Sequence, residues 1–142
     1  MRWIVASDHA GFALKEHLKG YLTARGHAVT DVGPSDASRT DYPDWGHKLA
    51  EAYLQGGHDF GIVICGSGIG ISIAANRHAG VRAALCHDEY TARVARQHND
   101  ANVLALGERV VGQGVAEGIV DVFAATAFEG GRHTARVAKI ER

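Results

Sequence analysis

Ile62-Val63-Ile64-Cys65-Gly66-Ser67-Gly68-Ile69-Gly70-Ile71-Ser72-Ile73-Ala74-Ala75-Asn76 is the most informative stretch of the chain. It completes an apolar run, Phe60–Cys65, that reads as a strand covered on both faces. Gly66, Gly68 and Gly70 then allow a turn in which backbone can come close to a ligand. A helix is predicted over Ile69–Arg77. The unpaired N–H groups of its first turn favour negative charge.

Working outward, further short apolar runs predict strands over Trp3–Ser7, Ala28–Val32, Arg82–Cys86 and Val103–Leu106. Helices are predicted over Gly11–Ala24, Tyr42–Leu54, Asp88–Gln97, Gly112–Ala125 and Gly131–Ile140. In the first of them Phe12, Leu14, Leu18, Tyr21 and Leu22 recur at helical spacing, and Gly26 follows as a stop. Strands alternating with helices predict an α/β fold. The expected architecture is a three-layer αβα sandwich around a doubly wound five-stranded parallel sheet, Rossmann-like with flavodoxin-type strand order. Such folds bind ligands outside the carboxyl ends of the strands, near the point where strand order reverses. That directs attention to Asp8-His9, Cys65-Gly66 and Gly107.

The 142 residues fit one domain, 1–142, and no internal repeat interrupts them. Two prolines, Pro34 and Pro43, bracket the longest polar break, which reads as a functional or interface loop. A formal net charge of −1 argues against a broad basic surface for nucleic acid. No apolar run is long enough for a membrane span, and Asp8 comes too early for a secretory signal, so a cytoplasmic protein is expected. Two cysteines, Cys65 and Cys86, without a Cys-x-x-Cys pair, argue against a disulfide and against a zinc ribbon. Nine histidines show no tight ligand motif, so no metal is expected.

The glycine turn is not a dinucleotide fingerprint, because Ile71 occupies the place of the third glycine. It is not a Walker loop either, since no Gly-Lys-Ser/Thr follows. Cys65 directly before it gives the turn its chemical interest. A thiol at a helix N-terminus can ionise near neutrality. A phosphatase role needs an arginine six residues on, where Ile71 stands. A general base beside an anion-binding turn fits proton abstraction next to a carbonyl, with charge developing on an enediolate oxygen. An inert core thiol is the competing reading.

Other polar clusters carry similar pairs of readings. Asp8 is either a helix cap or a ligand residue at the sheet edge. Gln97-His98-Asn99-Asp100 is either a solvated helix end or a source of acid–base chemistry from His98, with an amide from Asn99. Arg132 and Arg136, at i and i+4 after Gly130-Gly131, present two guanidinium groups on one side, which suits a phosphate dianion or a solvated face. Arg109 is a third cation or an ion-pair partner of Glu108. His87 and Asp88 near a strand end read as a helix cap or as substrate contacts.

Taken together these motifs resemble the type B ribose-5-phosphate isomerases, within a family that includes galactose-6-phosphate and allose-6-phosphate isomerases. Ser7-Asp8-His9-Ala10-Gly11-Phe12, Arg39-Thr40-Asp41-Tyr42-Pro43, Cys65 through Asn76, Arg96-Gln97-His98-Asn99-Asp100, Gly107-Glu108-Arg109-Val110-Val111-Gly112 and Glu129-Gly130-Gly131-Arg132-His133 carry the likeness from end to end. The resemblance implies a cofactor-free aldose–ketose isomerase of the pentose phosphate pathway. It makes Cys65 the base, His98 the ring-opening group, and Ser67 with Gly66, Gly68, Ile69 and Gly70 the anion hole. It implies that Asp8, Tyr42 and Asn99 contact the sugar. His9, Arg109, Arg132 and Arg136 then hold the phosphate. Some members use a glutamate in the following helix turn. Ile71 stands there, so the chain looks like the thiol branch. A homodimer or homotetramer with shared active sites is implied, with His98, Asn99 and Arg109 lent by the neighbour and the C-terminal helix, about 131–140, packed on a partner. A six-carbon aldose phosphate, or a non-catalytic nucleotide or phosphate module, is the alternative.

Overall fold

The computed structural model describes residues 1–141. Five parallel strands, β1 (Arg2–Ser7), β2 (Ala28–Asp31), β3 (Phe60–Cys65), β4 (Ala83–Leu85) and β5 (Val103–Gly107), form one sheet. Six helices cover it: α1 (Phe12–Ala24), α2 (Tyr42–Leu54), α3 (Ile69–Ala75), α4 (Glu89–Asn99), α5 (Gln113–Ala125) and α6 (Arg132–Ile140).

Side chains alternate across each strand, so the central strands feed two cores. Trp3, Val5, Ile62, Ile64, Leu104 and Leu106 pack under α1, α4 and α5 with Leu18, Ile119 and Phe123. Ile4, Ala6, Val63, Cys65, Val103 and Ala105 pack under α2 and α3 with Leu49 and Ile71. This two-sided burial explains the near-continuous apolar runs and gives the expected doubly wound α/β sandwich.

The strand order is β2-β1-β3-β5-β4. It agrees with the flavodoxin-type order through β2-β1-β3 and departs from it in the last pair, where β5 lies inside β4. Burial explains the exchange. All five residues of β5 are buried, whereas β4 has only three, each half-buried. The more apolar strand takes the interior place, and the short one takes the edge. Asn76 blunts that edge: its amide donates to the Ala83 carbonyl at 2.8 Å and accepts the Ala83 N–H at 2.8 Å.

The chain reverses its winding direction between β1 and β3, with α1 on one face and α2 and α3 on the other. The loops after β1, β3 and β5 therefore meet at one carboxyl edge. Cys65 pairs with Gly107 across the sheet, and the Glu108 N–H donates to the Cys65 carbonyl at 3.0 Å.

Candidate active site

Cys65 ends β3 at this edge and is 4% exposed. Its sulfur accepts a hydrogen bond from the Gly68 N–H at 3.1 Å. Gly68 makes this possible by adopting φ 78°, the left-handed region that a side chain disfavours. Ile69 donates its N–H to Ser67 Oγ at 3.2 Å. The first helical bond of the turn, Ser72 N–H to the Gly68 carbonyl at 3.2 Å, leaves Gly70 and Ile71 as donors with no helical acceptor. The turn thus directs a peptide N–H at the sulfur and leaves further donors unpaired beside it.

Four further residues surround the turn. A Cβ on Gly70 would lie 2.5 Å from the Tyr42 ring, so the glycine is what lets that ring rest against the helix start. A Cβ on Gly66 would lie 3.1 Å from Arg109 Nη1, which places the guanidinium over the turn of its own chain. Glu108 is not its ion-pair partner: that carboxylate accepts the Leu14 N–H at 2.9 Å, and no carboxylate lies within ion-pair distance of Arg109 among the described residues. His9 Nδ1 lies 3.0 Å from the Thr40 carbonyl and 3.3 Å from the Thr40 N–H, which ties the loop before α2 to the one after β1. Asp8 is a cap. Its Oδ1 accepts the Ala10 and Gly11 N–H groups at 2.9 and 3.1 Å, and both bonds fall on that one oxygen.

The remaining sequence candidates are elsewhere. α4 runs back from the carboxyl edge to the start of β5, so His98 and Asn99 in its last turn lie at the amino edge of the sheet. β5 separates the two edges by about 13 Å of strand, so His98 cannot reach the Cys65 turn of its own chain. Arg132 and Arg136 are with His98, because α6 packs on α4 and the His133 ring stacks on His98 at 4.5 Å. The expected grouping is therefore corrected. Arg109 stays with the cysteine, and both C-terminal arginines go with His98 and Asn99.

A family model described as ribose/galactose isomerase matches residues 4–140. The chain is 50% identical over 133 residues to ribose-5-phosphate isomerase B of Escherichia coli, spanning 94% of this chain and 89% of that one. The solved ribose-5-phosphate isomerase B of Clostridium thermocellum superposes with a TM-score of 0.97 at 52% identity, covering 99% of this chain and 95% of that one. A galactose-6-phosphate isomerase subunit from Clostridium acetobutylicum is 44% identical over 119 residues, 84% of this chain and 69% of its own.

The chain belongs to the ribose/galactose isomerase family.

Within this ribose/galactose isomerase chain, sequence reasoning missed three neighbours of the candidate residues. Thr40 anchors His9. Glu129 and His133 join His98 in one cluster, in which His133 is buried and its Nε2 lies 3.5 Å from Glu129. Burial, and then the charge of His98, hold the His133 imidazole below its ordinary pKa. His133 directly follows Arg132 in the chain, but stacking across 35 positions leaves no local signal. The open question at Asp88 is settled: its Oδ1 accepts the Thr91 N–H at 2.7 Å and caps α4. Cys86 is an inert core thiol, pushed up to about 11 by burial. No described helix is long and apolar enough to cross a membrane.

Proposed function

We propose that this chain interconverts D-ribose 5-phosphate and D-ribulose 5-phosphate through an enediolate, at a site assembled from two copies. The observation that carries the reading is the sulfur of Cys65 held by the Gly68 amide at the start of α3. The amide fixes the sulfur at the mouth of the turn, and a cysteine sulfur so held is a competent proton carrier in its thiolate form. Cys65 removes the C2 proton of the open-chain aldose and returns it to C1. Amides of the turn stabilise the enediolate oxygen, each such donor contributing roughly 3–4 kcal/mol. Ser67 Oγ accepts from Ile69 N–H, so its own proton is free to serve the hydroxyl oxygens as the hydrogen passes from O2 to O1.

The separation of the two edges supports a shared site. One copy supplies Cys65, Ser67, Gly66, Gly68, Ile69, Gly70, Asp8, His9, Tyr42 and Arg109. The other supplies His98 for ring opening, Asn99 for an oxygen near the reacting carbons, and Arg132 and Arg136 for the phosphate. α6 exposes most of its length, which suits its packing on a partner. Ile69 and Ile73, 54% and 60% exposed beside the cysteine turn, supply apolar area for that contact. A homodimer, alone or paired into a tetramer, satisfies this geometry. The two free cysteines fit a reducing, cytoplasmic location.

A coupled assay on a panel of aldose phosphates tests the reading. We expect the highest kcat/KM for ribose 5-phosphate. The relative named as a galactose-6-phosphate isomerase subunit makes a six-carbon substrate the second reading. A higher kcat/KM for allose 6-phosphate or galactose 6-phosphate selects it.

A further inference from the structure

His98, Glu129 and His133 stand apart from the other ionisable clusters. Their ligand atoms all lie within 4.8 Å of one another. The two imidazoles are stacked 14° from parallel, and neither ring has a hydrogen-bond partner among the described residues. By contrast the rings of His9, His17, His47 and His78 are each bonded to a neighbouring group. Apart from the 3.5 Å approach of the Glu129 carboxylate to His133 Nε2, the ring nitrogens of the His98–His133 pair are uncommitted.

The backbone that carries these side chains is fixed. The Glu129 N–H donates to the Gln97 carbonyl at 3.1 Å, and the His133 N–H donates to the Gly130 carbonyl at 3.0 Å. Arg96, one turn before Asp100, donates to that carboxylate at 2.8 Å and to the Ala101 carbonyl at 2.6 Å, which locks the end of α4. Two imidazole nitrogens and one carboxylate oxygen form a ligand set for a borderline divalent ion, with a fourth position left for water. Tetrahedral ligands of zinc stand about 3.3 Å apart, given metal–nitrogen bonds near 2.05 Å. Torsions of the exposed Glu129 and the half-buried His98 can close the present spacing, with the His98 ring turning out of the stack.

We propose that His98, Glu129 and His133 form a binding site for a transition-metal ion of the zinc type, and that its occupancy inhibits the enzyme by withdrawing His98. The binding site rests on the geometry alone. The inhibition rests on the ring-opening role given to His98 above. The ion is an inhibitor here, not a participant in proton transfer.

The test uses the full chain without a histidine tag. Cys65→Ala removes the competing thiol, and calorimetric titration with Zn²⁺ then reads the site. One ion per chain is expected. Adding Glu129→Gln or His133→Gln, each of which removes a ligand, weakens binding by at least about a hundredfold, the upper end of the loss for an outer-shell partner alone. Co²⁺ bound to the Cys65→Ala chain gives a visible spectrum of nitrogen and oxygen ligation that Glu129→Gln abolishes. No binding, or binding indifferent to both substitutions, overturns the site and leaves the role of His98 untouched.

The activity arm keeps Cys65. Glu129→Gln retains turnover, and the Zn²⁺ concentration for half-inhibition rises at least about tenfold. Equal inhibition of the two proteins identifies Cys65 as the target and overturns the switch. Site binding without inhibition overturns the switch as well, and counts against ring opening by His98.

Discussion

At the carboxyl edge of the sheet, Cys65 and its turn are held by backbone: the Gly68 amide on the sulfur, and the Glu108 and Arg109 amides on the Cys65 and Gly66 carbonyls at 3.0 Å each. At the amino edge, backbone bonds such as Glu129 N–H to the Gln97 carbonyl are joined by side-chain contacts that place His98 and α6: a ring stack, an Arg96–Asp100 bond, and the Arg82–Glu141 ion pair at 2.5 Å that fastens the end of α6. On the proposed mechanism the first region fixes atoms at which charge develops, and peptide groups do that without losing rotamer freedom. The second presents long cationic side chains outward and has nothing of its own chain to act on. On the proposed reading, the rigid cradle of one copy and the outward-facing cations of another make complementary halves.

Substitutions in the cradle are expected to have the largest effects. Cys65→Ala lowers kcat for ribose 5-phosphate isomerisation by about 10⁴, the upper range for a lost general base, with unchanged circular dichroism. Near-normal turnover removes the sulfur from the mechanism. At the other edge, His98→Asn costs about a hundredfold on the cyclic substrate and clearly less on an open-chain aldose phosphate. Equal losses on both contradict ring opening. Gly70→Ala forces its Cβ into the Tyr42 ring, and KM is expected to rise roughly tenfold through a displaced wall, with a smaller change in kcat.

The smallest effect concerns the support of the cradle. Lys15, wholly buried, pairs with Asp31 at 2.5 Å and donates to the Pro34 carbonyl at 3.2 Å, which anchors the loop that brings Thr40 to His9. Burial raises the Asp31 carboxyl, but bonds from Lys15, Lys19 and the Gly33 amide outweigh it, and the net pKa falls below the ordinary value of 3.8. A depressed carboxyl stabilises the fold above its unfolded pKa and loses that contribution as pH falls through its folded value. Thermal stability is thus expected to drop below about pH 4 through this pair. Asp31→Asn should flatten that part of the profile, measured by melting temperature from pH 3 to 6. An unchanged profile removes the pair as the acid-labile support.

The comparison also explains what the sequence could and could not tell. The layers, the helix positions and the cysteine–glycine turn were readable, because two-sided burial and strand–turn–helix chemistry leave local signals between Phe60 and Ala75. The exchange of β4 and β5 was not, since strand order depends on relative burial of segments 18 residues apart, Leu85 against Val103. The candidate site residues stand out in the sequence as motifs but not as two groups. Nothing near Arg109 or Arg132 in the chain says which edge each one occupies. The stack of His98 on His133 and the bond of Thr40 to His9 join distant segments, and only the folded backbone brings them together.

Mixing two inactive variants tests the shared site most directly. Cys65→Ala and His98→Ala chains are unfolded together, refolded at equal amounts, and assayed with ribose 5-phosphate. Random pairing makes half of the dimers mixed, and each mixed dimer has one site with an intact cysteine and an intact histidine. About a quarter of the parent activity should return, as a two-fold interface requires. Mixed dimers that form but stay as inactive as their components would show that Cys65 and His98 do not serve one site from two chains.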